Sequence, residues 1–203
     1  MGVPREIRTN RLLLRRWLPE DLPPFAALNA DPAVMEHFPS TLTRQQSATL
    51  ADRIEAHFLQ HGFGLWAVEI SDVTPFAGYI GLSVPTFQAH FTPCVEIGWR
   101  LAKRYWGMAY VTEGARAVLK FGFEKLGLNE IVSFTVPGNI PSRRVMEKIG
   151  MTHSAEDDFD HPSLIEGQPR RHVLYRVSRR LAPGSDGSLR SPGSPSRRAS
   201  QGV

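Results

Sequence analysis

The feature that most limits the fold is a change of hydrophobic period along the chain. Three runs rich in β-branched and aromatic residues, 65–70, 76–84 and 94–101, are separated only by turn segments at 72–75 and 88–93, and helical spacing flanks this block on both sides. Short connections between such runs permit only antiparallel neighbours, so the block reads as a meander. Downstream, Val111, Ala115, Val118, Gly122 and Leu126 form one helical stripe stopped by Gly127. A strand at 131–136, a helix at 141–149 and two last strands at 151–159 and 171–177 follow. A strand–helix–strand crossover after a meander requires a mixed α/β arrangement: a mostly antiparallel central sheet with helices on both faces.

The segment before the meander completes this plan. Leu12, Leu13 and Leu14, flanked by Arg11, Arg15 and Arg16, form a first strand, and 19–29 and 32–38 form two short helical pieces divided at Asp31-Pro32. Thr43 and Gln46 make a capping box for a helix whose apolar residues Leu50, Ile54 and Phe58 run to the stop at Gly62.

With 203 residues the chain holds one domain, placed at 1–181, because 182–203 is nearly all Gly, Pro, Ser and Arg and buries too little to offset its ordering entropy. That tail is expected to be disordered. The net charge is +4, and Arg190, Arg197 and Arg198 against Asp186 place half of it in the tail, so the folded part lacks the concentrated basic face that nucleic acid demands. The single cysteine, Cys94, supplies neither a disulfide nor a zinc cluster; no metal is expected, and a reducing, cytoplasmic location is. No apolar run approaches the roughly 20 residues of a membrane span.

One stretch carries chemistry. Glu96 to Leu101 is a strand that runs into Ala102 to Tyr110, a short loop opening directly into a helix, with the helical pattern resuming after Gly107. Such a junction offers free backbone amides and the positive end of a helix dipole to an anion, and Gly107 and the small Ala109 let a diphosphate approach the main chain. The nucleoside-triphosphate loop and the three-glycine dinucleotide pattern are both missing.

Arg104-Tyr105-Trp106-Gly107-Met108-Ala109 resembles the Arg/Gln-x-x-Gly-x-Gly/Ala motif of the GNAT superfamily of acyl-CoA-dependent N-acetyltransferases. Thr9-x-Arg11-Leu12-x-Leu14-Arg15, Ile97-Gly98-Trp99 and the run from Asn139 through Ser142 to Met151 look like its RimJ/RimL branch, whose members acetylate protein N-termini and assorted small amines. The resemblance implies the GNAT-like fold, acetyl-CoA as co-substrate and no metal. It implies a pantetheine arm laid along the backbone of Ile97 and Trp99, and a diphosphate on the amides from Arg104 through Gly107, Met108 and Ala109 to Tyr110. It also implies transfer of the acetyl group to a primary amine, a protein N-terminus or a small molecule, by direct attack in a ternary complex. A homodimer is compatible with it. Many GNAT enzymes use a Tyr seven residues beyond the Asn as acid; here that position is Met146, and Ser142 is the nearest hydroxyl. Asn139 and Ser142 are equally suited to cap their helix. A non-catalytic acyl-CoA sensor is the alternative that the missing Tyr keeps open, and a nucleic-acid module acting through the tail comes third.

For the general base Glu96 leads, since strand alternation sets it opposite Val95, Ile97 and Trp99 and burial would raise its pKa; an ion pair with a nearby Arg is the competing reading. His153, His161 and His172, in or near the last strands, are the other candidates, whereas His37, His57, His61 and His90 carry no motif. The acidic run Glu156, Asp157, Asp158 and Asp160 reads either as an attractor for cationic amines or as a solvated loop. Cys94 reads as a small packed residue rather than an acyl carrier, and Trp66, Trp99 and Trp106 read as packing, with Trp106 near enough to the phosphate loop to shield it.

Overall fold

A computed structural model describes residues 6–165, 167–168 and 170–179, so the expected tail at 182–203 lies outside the described residues. The elements are β1 (Ile7–Arg8), β2 (Leu12–Arg15), α1 (Leu22–Ala30), α2 (Pro32–Met35), α3 (Arg44–His61), β3 (Leu65–Ile70), β4 (Thr74–Ser83), β5 (Glu96–Leu101), α4 (Tyr110–Glu124), β6 (Glu130–Thr135), α5 (Ile140–Lys148), β7 (Thr152–His153), β8 (Phe159–Asp160) and β9 (Arg171–Ser178). Neighbours in the sheet run β1-β2-β3-β4-β5-β6-β9-β7, with β8 added on β9. Among the described residues β5–β6 is the one parallel pair, as the crossover through α4 requires. The mixed, mostly antiparallel sheet is therefore the one the period change demands.

Each face has its own cover. α4 lies on the face carrying Leu12, Ile80 and Leu82, and it lies close: a Cβ at Gly114 would come within 2.6 Å of Ile80, and one at Gly122 within 2.7 Å of Ile131. Two glycines in the helix interior cost helix propensity, but here they set α4 down on the sheet and fix where its N-terminus points. α1 covers the opposite face, with Phe25 edge-on to Tyr79 at 6.1 Å. The capping box forms as read, Gln46 N–H donating to Thr43 Oγ1 at 3.2 Å and Thr43 N–H to Gln46 Oε1 at 2.8 Å. Gly62 closes α3 in the left-handed region.

Three expectations need correction. β1 was not foreseen, since two residues paired to β2 carry no periodicity. The strand expected over 151–159 is instead β7 and β8 separated by a 3-10 turn at Ala155–Asp157. The polar run Ser154 to Asp158 has no apolar alternation to hold it in the sheet, and Asp157 turns aside to Arg176, accepting from its Nε at 2.9 Å. The piece expected over 32–38 is helical only as far as Met35.

Candidate active site

The parallel β5–β6 pair opens almost as soon as it forms. Glu96 opposite Val132 is its one register pair. Val132 N–H donates to Val95 O at 2.9 Å, and the Ser133 hydroxyl donates to Ile97 O, also at 2.9 Å. The carbonyls of Val95 and Ile97 thus face β6, and by strand alternation the backbone of Trp99 faces the same way, beyond the last contact. The result is a cleft edged by main-chain groups of β5, the kind of edge on which an extended amide-bearing chain adds like a strand. Ser133 fills the foot of the cleft. Sequence reading missed it because its role depends on a strand that is remote in the chain.

At the far end of β5 the chain makes a 3-10 turn at Lys103–Tyr105, in which Tyr105 N–H bonds Ala102 O and Trp106 N–H bonds Lys103 O. Those two amides are consumed, so the run of donors expected from Arg104 through Tyr110 shortens. Gly107, Met108, Ala109 and Tyr110, whose amides donate to none of the described residues, stand free at the start of α4. Gly107 at φ +75° and Ala109 at φ +61° both sit in the left-handed region, unusual for alanine, and curl the main chain around these donors. The Trp106 indole donates to Leu101 O at 2.8 Å, pinning the turn, and the side chains of Arg104 and Met108 are exposed.

The strained loop is held from the other end of the chain. Glu113, in the first turn of α4, accepts from the Thr9 hydroxyl at 2.6 Å, from Arg11 N–H at 3.0 Å and from Arg11 Nε at 2.7 Å. Arg11 Nη1 also donates to Met108 O at 3.1 Å, and its guanidinium lies over the Tyr110 ring. Burial pushes the Glu113 carboxyl up, but the bonds from Thr9 and Arg11 outweigh it and hold the group below its ordinary range. The motif residues Thr9 and Arg11 therefore brace the loop; the sequence flagged them without showing what they touch.

Asn139 caps α5, its Oδ1 accepting from Ser142 N–H at 3.3 Å and its Nδ2 donating to Thr135 Oγ1 at 2.9 Å, whereas Ser142 lies inside the first turn and lends the cap only its N–H. Met146 is buried in the core.

On the other face of β5, Glu96 makes no ion pair among the described residues; its carboxylate accepts from the Ser83 hydroxyl at 3.4 Å. Burial pushes the Glu96 carboxyl up to about 8, opposed by that bond. His161 and His172 are both held below the ordinary imidazole range by burial. They stand 5.3 Å apart, ring to ring, beside Phe134 and Phe159. His172 Nδ1–H donates to Arg170 O, which leaves Nε2 as its basic atom. His153 is tied to Asp158 at 2.7 Å. Three of the four residues of the acidic run have partners, Asp157 with Arg176, Asp158 with His153, and Asp160 with Arg171, while Glu156 is exposed. The Cys94 thiol is pushed up to about 11 by burial, which suits a packed residue. Trp66 is core, Trp99 packs against it, and His57 accepts from Val84 N–H at 3.0 Å, joining α3 to the end of β4.

A loop of free amides, a main-chain cleft and a half-buried carboxyl across β5 suit a substrate with a diphosphate and an amide-bearing arm. Comparison with known proteins agrees. The acetyltransferase (GNAT) domain family matches residues 11–152. Over 155 residues the chain is 32% identical to YkkB, described as uncharacterized, of Bacillus subtilis, covering 76% of this chain and 89% of that one. It is 30% identical to YnaD of the same organism, described as an uncharacterized N-acetyltransferase, over 71% of this chain and 81% of the relative. A GNAT-family acetyltransferase from Bacillus anthracis superposes with a TM-score of 0.71 at 26% identity, covering 85% of this chain and 98% of that one. Mycobacterium smegmatis RimJ in complex with CoA-disulfide does so at 0.67 and 20% identity, covering 85% and 84%, and so shares the fold. The chain belongs to the GNAT acetyltransferase family and is an acetyl-CoA-dependent N-acetyltransferase.

Proposed function

We propose that the chain acetylates a primary amine of the kind taken by the RimJ/RimL branch, a protein N-terminus or a small molecule, by direct attack in a ternary complex with Glu96 as general base. The carrying observation is the Glu96 carboxyl, half-buried beside the point where β5 and β6 part, with its pKa raised to about 8. Acetyl-CoA would lay its pantetheine along Ile97 and Trp99 and its diphosphate on the amides of Gly107 through Tyr110. The amine nitrogen attacks the thioester carbonyl carbon, the C–N bond forms as the C–S bond breaks, the nitrogen passes a proton to Glu96, and the thiolate leaves and takes a proton from water. The Ser142 hydroxyl, in the first turn of α5, assists the departing sulfur, and a strand amide of β5 steadies the carbonyl oxygen. The branch rests on the sequence motifs at Thr9 to Arg15, Ile97 to Trp99 and Asn139 to Met151, while the likeness to RimJ is one of fold.

The test is a pH–rate profile. The wild type should gain rate with rising pH as Glu96 ionises near 8, because only the carboxylate accepts a proton. Glu96→Gln should flatten that limb and lower kcat by about a hundredfold or more. A limb that persists in Glu96→Gln and disappears when His161 or His172 is replaced would move the base to that histidine.

A further inference from the structure

Three successive cross-strand pairs of β4 and β5 share the face that carries Glu96: Ser83 with Glu96, Gly81 with Gly98, and Tyr79 with Arg100. The middle pair has no side chains; the main chain of Gly64 and Leu65 covers Gly81, where a Cβ would fall 2.1 Å from Gly64 O, so the bare backbone of Gly98 alone floors a recess. A Cβ placed on Gly98 would find within 4 Å only the Glu96 carboxyl, at 3.9 Å. One end of the recess is thus a carboxyl and a hydroxyl, the other a guanidinium and a phenol. The Tyr79 phenol, held protonated chiefly by burial, feels Arg100 and Glu96 in opposite senses, so it lies within electrostatic reach of both.

Among the described residues Arg100 has no counter-charge. It is 8% exposed, its Nε is buried without a partner, and Nη1 donates to Asn29 Oδ1 at 2.5 Å. Its planar faces meet the rings of Phe38 at 4.1 Å and Tyr79 at 5.5 Å. Arg15, the other buried arginine among the described residues, shows what a settled one looks like: both Nη atoms on Asp21, at 2.8 and 2.9 Å, and Nε on Glu69 at 3.2 Å. A desolvated guanidinium without a carboxylate carries an electrostatic cost, and an incoming anion would relieve it.

We propose that the recess takes an acceptor bearing a carboxylate as well as its amine, with the carboxylate received by Arg100 and the amine placed at Glu96. This rests on the amine-acetylation reading above and names its substrate class. Free amino acids and peptides with an acidic side chain near the N-terminus share that chemistry, and the experiment separates them.

With acetyl-CoA saturating, kcat/KM per neutral amine is measured for matched pairs: glycine, β-alanine and γ-aminobutyrate against their amides, and tripeptides with Asp or Glu against Asn or Gln at the second position. The carboxylate member of at least one pair should exceed its uncharged partner tenfold or more. Preference confined to the first set points to free amino acids, and preference confined to the second to peptide N-termini. Arg100→Gln should bring that ratio near one, and Arg100→Lys, which keeps the charge without the fork, should retain part of it. A wild-type ratio near one in every pair, or a preference that survives Arg100→Gln, overturns the proposal. If Arg100→Gln does not fold, the wild-type ratios and Arg100→Lys decide. Equal acetylation of both members would leave the amine-acetylation reading standing and remove only this inference; acetylation of none would remove both.

Discussion

The two sides of β5 face different partners and are built by different means. Toward α4, contact is made by main-chain amides and carbonyls, and side chains serve to hold that backbone in place: Trp106 on Leu101 O, Arg11 on Met108 O, Thr9 and Arg11 on Glu113. Toward α1, the floor is the bare backbone of Gly98 and the chemistry is in side chains; among the described residues the Glu96 side chain bonds only Ser83 and that of Arg100 only Asn29. A cofactor common to a whole family suits backbone recognition, which survives sequence change. An acceptor that differs among relatives suits side chains, which can be exchanged without moving the strand.

The largest expected effect is on the backbone side. Gly107→Glu puts a negative charge where the diphosphate should lie and demands a left-handed backbone from a non-glycine residue, although a Cβ there meets nothing within 4 Å. Acetyl-CoA affinity should fall at least a hundredfold by calorimetry, with a stability cost of only about 1–3 kcal/mol in thermal melts. Unchanged affinity in the folded variant would move the diphosphate away from this loop.

Next is Ser142→Ala, at the border of the two sides. If the hydroxyl assists the departing sulfur, kcat should fall about ten- to a thousandfold. The cap bond between Ser142 N–H and Asn139 does not use the hydroxyl, so the melting temperature should hardly move. Normal turnover would leave Ser142 with its helix-starting role alone.

The two sides also differed in how far the sequence disclosed them. The cleft strand, the loop and the α4 start were legible because they are contiguous from Glu96 to Tyr110 and obey local rules of period, capping and glycine placement. What braces them was not, since Thr9 and Arg11 reach Glu113 across about 100 residues of chain. On the proposed acceptor side, alternation alone puts Glu96 and Arg100 on one face, but the open Gly98 and, among the described residues, the lack of a carboxylate at Arg100 needed the β4–β5 register. The strand read over 151–159 failed for a related reason: its middle is polar, and tertiary ion pairs decide where it turns.

The brace itself is open to test. Arg11→Ala leaves Glu113 uncompensated within one turn of the free amides, so acetyl-CoA should bind about tenfold more weakly while kcat at saturation changes little. Arg11→Ala combined with Glu113→Gln should recover part of that loss, because the stranded negative charge is gone. The gap between the single and the double variant should narrow at high salt. A double variant weaker than the single one would mean that the contact holds the loop by shape and not by charge.

The smallest effect is expected at Ser83, and it probes the side-chain end. Its hydroxyl donates to the Glu96 carboxylate, which favours the ionised form and lowers a pKa that burial has raised to about 8. Ser83→Ala should therefore shift the alkaline rise in rate to higher pH and leave its plateau close to that of the wild type. Stability gives an independent reading. Because Glu96 binds its proton more tightly in the folded chain than in the unfolded one, its contribution to stability is fully present below the ordinary range near 4.5 and is lost as pH climbs to about 8. The hydroxyl offsets part of that loss, and only where the carboxylate exists. The melting difference between wild type and Ser83→Ala should then be negligible at pH 5 and open up by pH 9, where a bond of 3.4 Å contributes at the lower end of about 0.5–1.5 kcal/mol. A difference of the same size at both pH values would mean that Ser83 stabilises the strand pair and does not tune Glu96.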